Sequence, residues 1–137
     1  APYRINAIDW TYKEKYYDLY EYVRDLIQLR KDYPELHQYS DETIRDSIEI
    51  IPSKNPNLIT VLYKLDRGWM VILHYNGWEE STVSWSGILE RIRREKAVIE
   101  RIFDENGRVK GPRFSIEKAS DEQLYLSRLS TTIYRIY

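Results

Sequence analysis

The sequence predicts a mainly β chain with one long N-terminal helix, and three observations carry that reading. Apolar residues recur at three- and four-residue spacing through Tyr16, Leu19, Tyr20, Val23, Leu26 and Ile27, the period of an amphipathic helix. About seven short runs of β-branched and aromatic residues follow at the spacing of a β-sandwich. No segment repeats and none is of low complexity.

Residues 1–10 read as a loop, with Pro2 and Asn6 as turn formers. Asp9 or Thr11 caps the helix, and Glu14 completes a capping pattern with Thr11. Charged residues from Lys13 to Lys31 fill much of the opposite face, giving about five turns that end before Pro34. Residues 39–57 read as a connector, with Ser40 capping a short helix near 41–46, a brief strand at 47–51 and a Pro-Ser-Lys-Asn-Pro-Asn turn. LITVLYKL (58–65), WMVILHY (69–75) and TVSW (82–85) read as strands parted by Asp66-Arg67-Gly68 and Asn76-Gly77. Residues 86–97 suit a helix as well as a strand. AVIERIFDENGRVKG (97–111) gives a strand, an Asn106-Gly107 turn and a return strand; RFSIEK, QLYL and TTIYRIY supply the rest. A lone helix ahead of a small sandwich needs a partner for its stripe, and the residues after it do not read as that partner.

Composition narrows the function classes. The 137 residues suit one domain, and a net charge of −1 from 21 basic and 22 acidic residues provides no broad attraction to nucleic acid or anionic membrane. No apolar run approaches a membrane span, and no signal peptide is evident. The chain starts without Met, which reads as a processed end or a cut in a longer chain. The absence of Cys rules out disulfides and thiolate metal sites. Scarce Cys and Met with frequent charge and Ile lean toward a thermophilic source. Thirteen Tyr and four Trp offer faces for sugar stacking, although such residues more often fill cores and strands.

No catalytic constellation is legible. His37 and His74 stand far apart, no G-x-S-x-G elbow occurs, and the five glycines form no phosphate loop. No metal-ligand motif and no cofactor signature is present. Asp9, Glu79, Glu80 and Asp104 are candidate carboxylates for glycosidic hydrolysis, which needs two, but the chain is rich in acids and no pair stands out.

The stretch APYRINAIDW (1–10) resembles a segment of the type I pullulanases, starch-debranching members of the α-amylase superfamily (glycoside hydrolase family 13). In that family a similar loop follows the eighth barrel strand. A helix then ends in a pattern that stands here as Tyr22, Leu26, Ile27, Leu29, Arg30, Lys31 and Pro34. DETIRDSIEI (41–50) is similar to the family's connector, VILHYNG (71–77) to a C-domain strand, and LSTTIYRIY (129–137) to its last strand. The similarity is close over residues 1–77 and thin over 86–125, where the family's Gly-x-Trp strand is not evident.

The resemblance implies residues 1–38 as the last loop and helix of a (β/α)₈ barrel, 39–57 as a connector and 58–137 as a C-terminal antiparallel β-sandwich. The helix's partner strands and all catalytic carboxylates would then lie upstream. The chain would support a debranching barrel, part of the same protein or a second chain, that cleaves α-1,6 bonds in glucans such as starch and pullulan. It would not be catalytic alone. The loop implies Asn6 and Tyr3 as substrate-binding candidates; Tyr3 stands where relatives often have Asp, and Asn6 is equally a turn former. Extracellular location is common in the family.

The alternative is a stand-alone carbohydrate-binding module with Trp69, Trp78 and Trp85 as platforms. On one continuous strand Trp78 and Trp85 would face opposite sides, which favours Trp78, beside Asn76-Gly77, as the exposed candidate. A small interaction protein without a sugar ligand is a third reading, which leaves the N-terminal resemblance unexplained.

Overall fold

The computed structural model describes residues 8–37 and 40–137. Helix α1 (Thr11–Lys15) and helix α2 (Tyr17–Asp32) are separated by a break at Tyr16, whose φ of −117° and ψ of 45° leave the helical region. Asp9 holds the start: its Oδ1 accepts from the Thr11 N–H at 3.0 Å and from the Thr11 hydroxyl at 2.6 Å. Neither expected residue stands at the N-cap itself, which is Trp10 and has no side-chain cap hydrogen bond; Asp9 ties the turn just ahead of it. Helix α2 ends just ahead of Pro34, and a 3₁₀ turn (Pro34–His37) follows. Ser40 caps α3 (Asp41–Ser47) by accepting from the Thr43 N–H at 3.4 Å.

The strands are β1 (Ile48–Ile51), β2 (Leu58–Lys64), β3 (Trp69–Tyr75), β4 (Ser81–Ser84), β5 (Lys96–Asp104), β6 (Gly107–Arg108), β7 (Arg113–Glu117), β8 (Gln123–Leu126) and β9 (Ser130–Ile136). Seven make one antiparallel sheet in the order β1-β2-β3-β9-β5-β6, with β7 also beside β5. β4 and β8 form a separate two-stranded ribbon. The chain is thus mainly antiparallel β. Its second layer is slighter than a full sandwich sheet: the ribbon plus helix α4 (Trp85–Arg91). TVSW was the expected strand, but it stops at Ser84. The Ser84 hydroxyl accepts from the Ser86 N–H at 3.1 Å and starts a helix instead. β1, in the expected connector, pairs with β2 along its whole length.

Alternation in the central strands sends side chains to both faces. Val71, Leu73, Tyr134 and Ile136 meet Trp85, Ile88 and Leu89 of α4 and Leu124 and Leu126 of β8. Met70 and Ile133 meet Leu29 of α2 on the opposite face. Ile102 and Phe103 are consecutive yet share that second face. A register shift between Arg101 and Phe103 against β9 makes this possible.

The long helix therefore has a partner within its own chain, although the residues after it do not read as that partner in sequence. Leu29 is buried, and Tyr22, Leu26 and Tyr33 pack beside it. The Tyr22 and Phe103 rings meet edge-on at 5.1 Å. Polar ties reinforce the contact. Asp25 accepts from the Arg108 N–H at 3.0 Å, Asp32 pairs with the Arg108 guanidinium, and Glu35 accepts from the Asp66 N–H at 3.1 Å. Gly107, at φ +88°, belongs to this junction; a Cβ there would lie 2.5 Å from an Asp25 carboxylate oxygen.

Candidate functional site

The β5–β6 hairpin runs on through residues 109–112 into β7, an edge of the main sheet, and β8 is the strand of the ribbon that approaches it. Between them lies an open cleft of about 570 Å³. Its floor is the core itself: Trp85, Ile99, Ile116, Leu124 and Tyr134. Trp85 and Tyr134 meet edge-to-face at 5.0 Å, which fixes both rings. Phe114 of β7, 56 % exposed, and Tyr125 of β8, 77 % exposed, flank the opening.

The polar rim is braced in advance. Arg101 Nε and Nη2 donate to the Tyr134 hydroxyl at 3.0 and 2.9 Å, and Nη1 lies 3.6 Å from Asp104 Oδ2. Asp104 Oδ1 accepts from the Asn106 N–H at 2.9 Å. Burial opposes the Arg101 charge, but the Tyr134 hydrogen bonds and the Asp104 and Glu105 carboxylates outweigh it and hold its pKa above the usual value. Lys110, Glu122 and Gln123 complete the rim.

No family model matches the chain. Among the described residues, no group of three or more His, Cys, Asp and Glu is placed to hold a metal ion, and no helix is long and apolar enough to cross a membrane.

The residues singled out from sequence do not converge. Trp78 lies in the β3–β4 loop, 75 % exposed. Gly77 beside it admits the Tyr75 ring, whose hydroxyl would stand 2.1 Å from a Cβ at that position and donates to the Glu79 carbonyl at 2.6 Å. Trp69 is half-buried with the Arg94 guanidinium 5.0 Å from its ring. Trp85, 3 % exposed, is core. Asn6 and Tyr3 lie outside the described residues. Of the candidate carboxylates, Asp9 ties the turn ahead of the first helix and Asp104 braces the cleft rim. His74 sits 3.0 Å from Thr131 across the strand pair β3–β9.

Sequence reading passed over the cleft. A signal for it existed in QLYL, where Tyr125 falls out of phase with Leu124 and Leu126 and so points away from the core. Phe114 carried no such mark, because it is in phase with buried Ile116. Only the gap between β7 and β8 leaves it open.

A second surface lies on the opposite face of the sheet. Tyr16, Leu19, Tyr20, Val23 and Ile27 of the helical segment are all exposed. Leu19 and Tyr22 line a hollow with Leu129, Ser130 and Thr131. An adjoining hollow shares those last three residues and adds Ile59 and His74. The exposed helix stripe thus adjoins a mixed surface at an uncovered end of the sheet, where Ile59 and Leu129 are apolar and His74, Ser130 and Thr131 are polar.

Proposed function

We propose that this chain is the C-terminal part of a starch-debranching glycoside hydrolase of pullulanase type, supporting the catalytic barrel and not cleaving glucan by itself. The observation that carries the proposal is the two-sided helix. Tyr22, Leu26 and Leu29 of α2 are packed against this chain's sheet, while Leu19, Tyr20, Val23 and Ile27 form an apolar stripe in solvent. The last helix of a barrel followed by a C-terminal domain needs two such stripes, one for the barrel strands and one for the domain. A contiguous exposed apolar surface of this kind marks an interaction site. The likeness of residues 1–40 to the pullulanase segment supplies the identity of the missing partner, α-glucan as substrate and the barrel as its neighbour.

The test is pullulan hydrolysis by the isolated material, before and after size exclusion in mild denaturant, with intact mass on each fraction. Activity that travels with a larger chain and disappears on its removal supports the proposal. A folded, monomeric 16.6 kDa chain that cuts pullulan would sink it. The competing reading, a free-standing binding module with tryptophan platforms, retains Trp78 as the well-exposed one of its three tryptophans, because Trp85 is core and Trp69 is half-buried.

A further inference from the structure

The geometry points to the cleft between β7 and β8 as a binding site for a neutral, hydroxyl-rich ring ligand: a carbohydrate, stacked against Phe114 and Tyr125 and hydrogen-bonded by the rim. The site is separate from the proposed barrel-docking surface. Its floor belongs to the sheet face covered by α4 and the ribbon, away from α2, so it stays open when the helix is covered. It goes beyond the proposed function, which assigns this chain no ligand contact at the cleft.

Three features select the ligand class. First, the rim charges cancel, with Arg101 and Lys110 against Asp104 and Glu122. An ionic ligand would meet as much repulsion as attraction, whereas a sugar hydroxyl both donates and accepts and uses all four groups. Second, the chain has two phenylalanines. Phe103 is fully buried while Phe114 is 56 % exposed on a strand edge. Phe114 and Tyr125 present apolar ring surface, the complement of the C–H face of a pyranose. The volume of about 570 Å³ falls within the range of small-molecule sites, about 300–1,000 Å³. Third, a peptide strand added to β7 would find no donor just ahead of it: Pro112 has no N–H, and the Gly111 N–H is already given to the Arg101 carbonyl at 3.2 Å, which limits pairing to Arg113–Glu117.

The experiment is an NMR titration of the ¹⁵N-labelled 137-residue chain with maltotetraose and, separately, cellotetraose. Saturable shifts at the amides of Phe114, Ser115, Gln123 and Tyr125 and at the Trp85 indole N–H, from either sugar, are the expected result. The F114A/Y125A double variant removes two exposed rings, so the fold is retained, and binding weakens at least about tenfold. The control I27E, on the helix face, leaves binding unchanged. Absence of saturable shifts with both sugars overturns the inference, as does undiminished binding by the double variant. Tighter binding of inorganic phosphate at Arg101 and Lys110 would overturn it too. The titration stands apart from the debranching proposal: a lone chain that cuts pullulan would end that proposal and leave these outcomes as they are.

Discussion

The two faces of the main sheet are covered by different kinds of element. Helix α4 and the β4–β8 ribbon cover one face and bury a large cluster that runs from Leu58 to Ile136. The other face has a single helix, and the cluster beneath it is much smaller, centred on Leu29, Met70, Phe103 and Ile133. Position along the strands explains the difference. β3 and β9 pass from Met70 and Ile133, which belong to the cluster under the helix, to the row Ile59, His74, Thr131, in register across β2, β3 and β9 at the other end of the strands, which the helix does not cover. One face is therefore mostly interior, and the other is half interior and half interface.

Substitutions on the helix-covered face test that division. Phe103→Ala empties the centre of the smaller cluster, and urea denaturation should report a loss of about 3–5 kcal/mol. Leu29→Ala removes the buried side chain of α2 and should cost about 2–3 kcal/mol, the low end of the range for such truncations because a helix at an open edge relaxes inward. Gly107→Ala sets a Cβ against Asp25 in a left-handed backbone; the expected cost is about 1–2 kcal/mol. Ile27→Ala and Val23→Ala, on the solvent side of the same helix, should stay within about 0.5 kcal/mol in the isolated chain. If they cost as much as Leu29→Ala, the outer stripe is not an interface and the comparison breaks.

The smallest effect is a pH dependence. Hydrogen bonds from Gln28 and Arg108 hold the Asp32 carboxyl below its usual value of 3.8. A depressed folded-state pKa means that this tie stabilises the fold above that value and is lost as pH falls through the folded pKa. Asp32→Asn should flatten the acid limb of the stability profile below pH 3.8 and change little at neutral pH. A variant with an unaltered acid limb would show that the Asp32–Arg108 pair contributes nothing measurable.

Much of the fold was legible. The stop before Pro34, the Ser40 cap, the Asn106-Gly107 turn and strand β3 at 69–75 each rest on local chemistry: a missing N–H, a short hydroxyl side chain, a residue tolerant of positive φ and a β-branched run. The Trp85 helix was not legible as such, since Ile88, Leu89 and Ile92 suit either period. The candidate site was less legible still. Trp78 stood out because it follows Asn76-Gly77, and it is exposed. Phe114 and Arg101 looked like ordinary strand residues; their role in the cleft depends on where β8 stops short of β7.

The sequence by itself determined most of the elements, their order and the amphipathic character of the long helix, because caps, breakers and periodicity act within a few residues along the chain. Only the tertiary structure decided which stripe of that helix is core and which is surface. Tyr22, Leu26 and Leu29 and Leu19, Val23 and Ile27 are equally apolar in sequence. They differ only in what the β5 bulge and the Asp25–Arg108 and Asp32–Arg108 ties bring against them. Those contacts join residues far apart in the chain, and no local pattern encodes them.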